Sequence, residues 1–454
     1  MQKTLKYRKA LFFIAVLSIA LPLLAIKEAK FTADIILRRS IPEWWFIPVG
    51  IAFYSMQLLS YISDVYLRKT EPEHNFLKFL LFSSFFPQII QGPIPRYSEL
   101  SHQLTEGHRF DERKLVKGFM LILWGFFLKL CIADKAGIIV DTVFDNFPAY
   151  QGMYVMIAGI LYSLQLYADF SACSTLALGI SALFGIALSD NFKHPYLASS
   201  VKDFWRRWHI SLSMWLRDYI YIPLGGSKNG IFRKYINILL TFTVSGIWHG
   251  GGFKFLFWGL LHGLYQIAGD LLKPLRNRIG GRQFFIRFGA FRRLAGSIFT
   301  FLLVMLAWII FRAETLKTGI KMIMTIFTVH NFWILTDESL FALGLNWKEC
   351  LVLVLCLLLL LAVSLVQETY LQKGSKPCIA ESRRGEMLRP QADSVSYSPK
   401  SSTADEKGMD IRDRILEFNI LIRWAIYIAA ILFILIFGTY GYGFDSQAFI
   451  YGRF

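Results

Sequence analysis

Eight histidines are the side chains whose type best suits acid–base chemistry, because an imidazole titrates near working pH. His74, His102 and His108 fall in polar stretches, His194 stands beside Pro195, and His330 lies between apolar runs. His209, His249 and His262 sit in apolar or aromatic surroundings. His249 closes the run from Ile236 to Trp248, within Ser245-Gly246-Ile247-Trp248-His249-Gly250-Gly251-Gly252. An ionisable ring at membrane depth points to function, and the following glycines admit close approach by another backbone or a substrate. The same residues also fit an ordinary helix end with a glycine cap and a ring bonded to a carbonyl. By spacing alone, His209 suits the surface of an interfacial helix. His262 is expected to pack or hydrogen-bond inside a bundle, with no catalytic role.

Other reaction machinery is missing from the sequence. It holds no HExxH, no His/Cys/Asp cluster with metal-ligand spacing, no P-loop or GxGxxG after a strand, and no GxSxG elbow. No bound cofactor or metal is therefore expected. The five cysteines include no CxxC, and Cys131, Cys173, Cys350 and Cys356 lie in apolar segments, where a thiol acts as a small hydrophobe. A lone histidine can still serve as a general base.

The elements that would position these rings are membrane helices. More than half of the 454 residues are apolar, with 41 Phe, 20 Tyr and 12 Trp. A soluble domain cannot hide so much apolar surface, whereas a bilayer tolerates an apolar exterior. The net charge of +17 sits in clusters bordering apolar runs, such as Lys3 to Lys9, Arg206 with Arg207, and Arg292 with Arg293. That placement marks cytoplasmic loops and anionic headgroups rather than nucleic acid. Apolar periodicity predicts helices at 10–26, 46–66, 76–91, 117–133, 153–169, 173–188, 236–250, 253–272, 296–312, 349–366 and 420–438. The first is a retained helix rather than a signal peptide, since Lys27, Glu28 and Lys30 stand where small residues at a cleavage site belong.

Two segments depart from this pattern. Gln91-Gly92-Pro93-Ile94-Pro95-Arg96 stops the helix before it, giving either a re-entrant segment or a surface loop. Residues 202–221 alternate charges with aromatics at helical spacing. Trp205, Trp208, Leu212, Trp215 and Tyr219 form one stripe, which suits a helix at the interface or along a polar cavity. The polar stretch 368–419 reads as a flexible loop within a single domain spanning 1–454. No internal repeat is visible.

Four pieces resemble the membrane-bound O-acyltransferase superfamily, in its alginate O-acetylation branch. They are Gln91 to Tyr97, Gln165-Leu166-Tyr167-Ala168-Asp169-Phe170-Ser171, Asp203 to Ser213 continuing through Trp215-Leu216-Arg217-Asp218-Tyr219, and Gly246-Ile247-Trp248-His249-Gly250. The ending Phe449-Ile450-Tyr451 is similar too. Two departures stand out. Ala172-Cys173-Ser174-Thr175 replaces the family's Gly-Tyr-Ser-Asp. Relatives also carry further spans before the region matching Ala10 to Tyr66, so a shortened variant or a late gene start is expected.

The resemblance implies an all-α, polytopic transmembrane bundle of about nine to eleven segments, some short or re-entrant, around a central tunnel. It implies that His249 is catalytic and that His209 lines the same tunnel. Arg206, Arg207, Trp208, Arg217, Asp169 and Trp248 are expected to touch donor or acceptor, although each arginine fits headgroup anchoring equally well. The expected reaction moves an acetyl group from acetyl-CoA or another acyl thioester toward a hydroxyl of an exported polysaccharide. An extracytoplasmic acyltransferase partner and a plasma (inner) membrane location go with it. D-alanyl transfer to teichoic acid is the alternative within the superfamily, although Pro95 stands where that branch usually has an acidic residue. A transporter or flippase is the alternative outside it.

Overall fold

The computed structural model describes residues 2–31, 50–89, 91–274, 289–374 and 411–440. Among the described residues all regular structure is helical. Among the described residues, six helices are long and apolar enough to cross a membrane: Tyr7–Ile26, Glu112–Asp145, Met153–Leu183, Gly289–Arg312, Trp347–Tyr370 and Ile420–Phe437. Their outer faces carry exposed Leu, Ile and Phe, among them Leu17, Phe119, Ile298 and Leu302, as a lipid-facing surface requires.

The chain divides into two compact units, residues 1–353 with 433–454, and residues 354–432. In the second unit, the Arg414 guanidinium lies over the Tyr370 ring at 5.0 Å.

The first unit holds the candidate chemistry. α1 (Gln2–Phe31) packs on α2 (Ile51–Tyr66). α3 (Phe76–Ser83) and α4 (Phe86–Ile89) are the two halves of a broken element, followed by α5 (Tyr97–Thr105). α6 (Glu112–Phe126) continues through a wide π-turn at Phe127–Ala133 into α7 (Asp134–Asp145). α8 (Met153–Leu183) packs along that whole length. Small residues set the approach: a Cβ on Gly118 would lie 2.9 Å from the Gly179 carbonyl oxygen. α9 (Val201–Arg207) and α10 (Ile210–Leu216) are short, and a π-turn at Arg217–Tyr221 follows them. α11 (Gly230–His249) and α12 (Phe253–Leu271) form a tight hairpin, in which a Cβ on Gly246 would collide with the Phe255 carbonyl oxygen. α13 (Gly289–Arg312) and α14 (Leu316–Thr328) complete the group.

Several elements differ from the sequence reading. The two helices expected over 153–188 are one continuous helix of 31 residues, because nothing between Asp169 and Cys173 breaks it. The helix expected over 202–221 is two helices, divided at Trp208 and His209. The proline segment is not exposed loop: Gln88, Gln91, Gly92, Pro93, Ile94 and Pro95 are buried in protein. In the expected polar loop, residues 368–374 continue a helix and Ile411–Glu417 forms another. The rest of that loop, Cys378, residues 46–49 and Phe449-Ile450-Tyr451 lie outside the described residues.

Candidate active site

His209 owes its position to a break in the backbone. Its φ of 44° and ψ of 56° place it in the left-handed region, a strain of about 1–2 kcal/mol for a residue with a Cβ. Asn191 holds the break. Its Oδ1 accepts from Ser211 N at 3.1 Å and Ser211 Oγ at 2.9 Å, and its backbone carbonyl accepts from Ile210 N at 3.0 Å. His209 Nδ1 lies 3.2 Å from the same Oδ1. An oxygen accepting from two donors requires Nδ1 to be a donor as well, so Nδ1 carries the proton. Nε2 is then the acceptor of the neutral ring, and it has no hydrogen-bond partner among the described residues. The ring is 1% exposed. Burial pushes its pKa down to about 3, so it stays neutral at physiological pH. His209 is thus a buried acceptor rather than the surface residue its spacing suggests.

His249 ends α11, where Gly250 releases the chain from the helix. Its ring is 4% exposed and packed edge-on against Trp248 at 4.8 Å, Trp258 at 5.0 Å and Phe311 at 5.4 Å. Trp248 also faces His209 at 6.1 Å, so one indole neighbours both imidazoles. Phe53 of α2 touches His209 and Trp248 at 6.3 and 6.0 Å, and Phe170 of α8 meets His209 edge-on at 4.7 Å. Five elements therefore converge on the pair of rings. His262 takes the structural part expected of it: its Nδ1 accepts from Trp205 Nε1 at 3.2 Å, the opposite tautomer to His209.

The remaining expected residues lie outside this pair. Trp208 is 1% exposed and belongs to an aromatic layer with Phe192, Phe204 and Trp308. Arg206 is exposed, Arg207 pairs with Asp203 at 3.0 Å, and Arg217 pairs with Asp218 at 2.7 Å. Asp169, 1% exposed in its side chain, accepts from Lys129 Nζ at 2.8 Å, and Lys129 also meets Asp134 at 2.7 Å. This buried triad sits at the π-turn between α6 and α7, one residue from the Phe170 wall.

Sequence reasoning named Asp169 but missed its partners Lys129 and Asp134, and it missed Asn191, Phe53 and Phe311. A lysine inside an otherwise apolar run was the available signal for the triad. It also missed a second network. Arg96, from the proline segment, donates to Tyr219 Oη and to Asp218, and Tyr219 Oη donates to Asp64 Oδ2 at 2.8 Å. That network pins the proline segment to α2 and to the π-turn after α10.

Residues 67–313 match the model of MBOAT, the membrane-bound O-acyltransferase family. The probable alginate O-acetylase of Pseudomonas putida is 38% identical over 277 residues, covering 61% of this chain and 54% of that protein. The peptidoglycan O-acetyltransferase of Helicobacter pylori is 34% identical over 303 residues, covering 61% and 56%. The teichoic acid D-alanyltransferase of Bacillus subtilis is 32% identical over 226 residues, covering 47% and 55%. The chain spans about half the length of the curated relatives it matches.

Proposed function

The chain belongs to the membrane-bound O-acyltransferase family and is a multi-pass membrane protein, and from that premise we propose that it moves an acetyl group from a cytoplasmic thioester, acetyl-CoA, to a hydroxyl of an exported polysaccharide. The plasma membrane and an extracytoplasmic acyltransferase partner belong to this proposal. Two relatives named for O-acetyl transfer to alginate and to peptidoglycan support acetyl over D-alanyl, since the teichoic acid enzyme covers less of the chain at lower identity.

The observation carrying the reading is the pair of buried imidazoles beside one indole. In the proposed step His249 accepts the proton of the incoming hydroxyl as its oxygen attacks the thioester carbonyl. A C–O bond forms, the C–S bond breaks, and the proton passes to the departing sulfur. General-base help of this kind is worth about two to four powers of ten in rate. His209, with Nε2 as acceptor, orients the hydroxyl. Arg206, Arg207 and Arg217 meet donor phosphates, and Trp208, Asp169 and Trp248 shape the surroundings. The proposed reaction requires the reactants to reach the two rings between the aromatic side chains that leave His209 and His249 1% and 4% exposed.

The test is His249→Ala in cells fed labelled acetyl. The variant is expected to accumulate in the membrane at normal level while envelope polysaccharide loses its label by about a hundredfold or more. Normal labelling would exclude His249 as the base.

A further inference from the structure

Asp270, at the end of α12, has three lysines around it that the proposed step does not use. Lys234 of α11 pairs with it directly. Lys202, at the start of α9, and Lys273, just beyond α12, bring their charges to bear on the same carboxylate. One carboxylate cannot neutralise three ammonium groups, so a positive surplus remains. Lys202 and Lys273 are exposed, and exposed Lys228 and Arg233 add to the charge at this end of α11. The Lys234 position lies about 22 Å along α11 from His249, so the cluster is separate from the imidazole pair.

The surroundings of these cations are apolar. Ile231 and Phe232, in the first turn of α11, are 70% and 80% exposed, and Leu271 and Leu272, at the end of α12, are 61% and 58% exposed. Water disfavours such a patch, and hydrocarbon disfavours the charges beside it. The boundary of a bilayer suits both, with acyl chains against the apolar side chains and an anionic headgroup against the lysines. A soluble phosphate or nucleotide would match the charge and leave the apolar side chains in water.

We propose that Lys202, Lys234 and Lys273 bind the phosphate of an anionic phospholipid, whose headgroup bridges α9, α11 and α12 at the open end of the hairpin. The ammonium groups donate charge-assisted hydrogen bonds to its oxygens. The lipid supplies the counter-charge that Asp270 alone does not. The site stands apart from the transfer reading and holds whichever acyl group is moved.

Native mass spectrometry of the full chain, released from detergent holding equal amounts of phosphatidylglycerol and phosphatidylcholine with matched acyl chains, tests it. The wild type is expected to retain phosphatidylglycerol about tenfold over phosphatidylcholine. Lys202→Gln with Lys273→Gln leaves the Lys234–Asp270 pair intact and should bring that ratio near one. Lys202→Arg with Lys273→Arg keeps the charge and should keep the preference. Equal retention of the two lipids by the wild type overturns the proposal. So does an unchanged preference in the glutamine variant or a lost one in the arginine variant. Displacement of the lipid by coenzyme A or inorganic phosphate at equal concentration would assign the lysines to a soluble phosphate and overturn it as well.

Discussion

At the scale of residues, Asn191 decides what His209 can do. Replacing it with Ala strands three buried groups, Ser211 N, Ser211 Oγ and His209 Nδ1. Each unsatisfied group costs about 1–3 kcal/mol, so Asn191→Ala should lower the unfolding midpoint in detergent and reduce transfer. Full activity with an unchanged midpoint would show that the break holds without it. The depressed pKa of His209 fixes a pH signature. Below about 6.5 an unfolded imidazole takes up a proton, whereas the folded one resists until about 3. The unfolded state therefore binds more protons in that window, and stability falls as pH drops from about 6.5 toward 3. His209→Gln should flatten that part of the stability curve, measured by thermal unfolding across pH. Of this site, the residue types were legible in the sequence and the tautomer was not. His249 is marked by its glycines, but the partner that orients His209 lies in a coil before α9, with no periodic signal.

At the scale of elements, close helix contact keeps the rings in place. Gly246 and Gly259 face each other across the α11–α12 hairpin, and a Cβ on either would strike the carbonyl of Phe255 or Phe242. Gly259→Ala should part the hairpin and displace His249, which cysteine crosslinking between α11 and α12 would detect as a lost crosslink. The buried triad makes a second element-scale prediction. Lys129→Met removes the cation shared by Asp134 and Asp169, a loss of about 3–5 kcal/mol for a buried pair losing one partner. A wild-type midpoint for Lys129→Met would contradict the triad's role. Most apolar runs were legible as helices because their length and periodicity exceed what loops show. The division of 202–221 was not, because its aromatic stripe fits one long helix as well as two short ones. Asn191, distant in sequence, offsets the cost of the break through both its side chain and its backbone carbonyl.

At the scale of the whole molecule, six long apolar helices and clustered basic residues make a bilayer the natural solvent for this chain. Alkaline carbonate washing should leave it in the membrane pellet, and release into the supernatant would refute a multi-pass topology. The aromatic enclosure of His249 has one further consequence. Trp248, Trp258 and Phe311 leave the ring 4% exposed, so bulk water has little standing at the proposed base. A thioester waiting there without an alcohol would survive, because the competing nucleophile is kept out. Idle enzyme would then squander little of its fuel, and thinning that wall by Phe311→Ala would show itself as acetate released when no sugar is present.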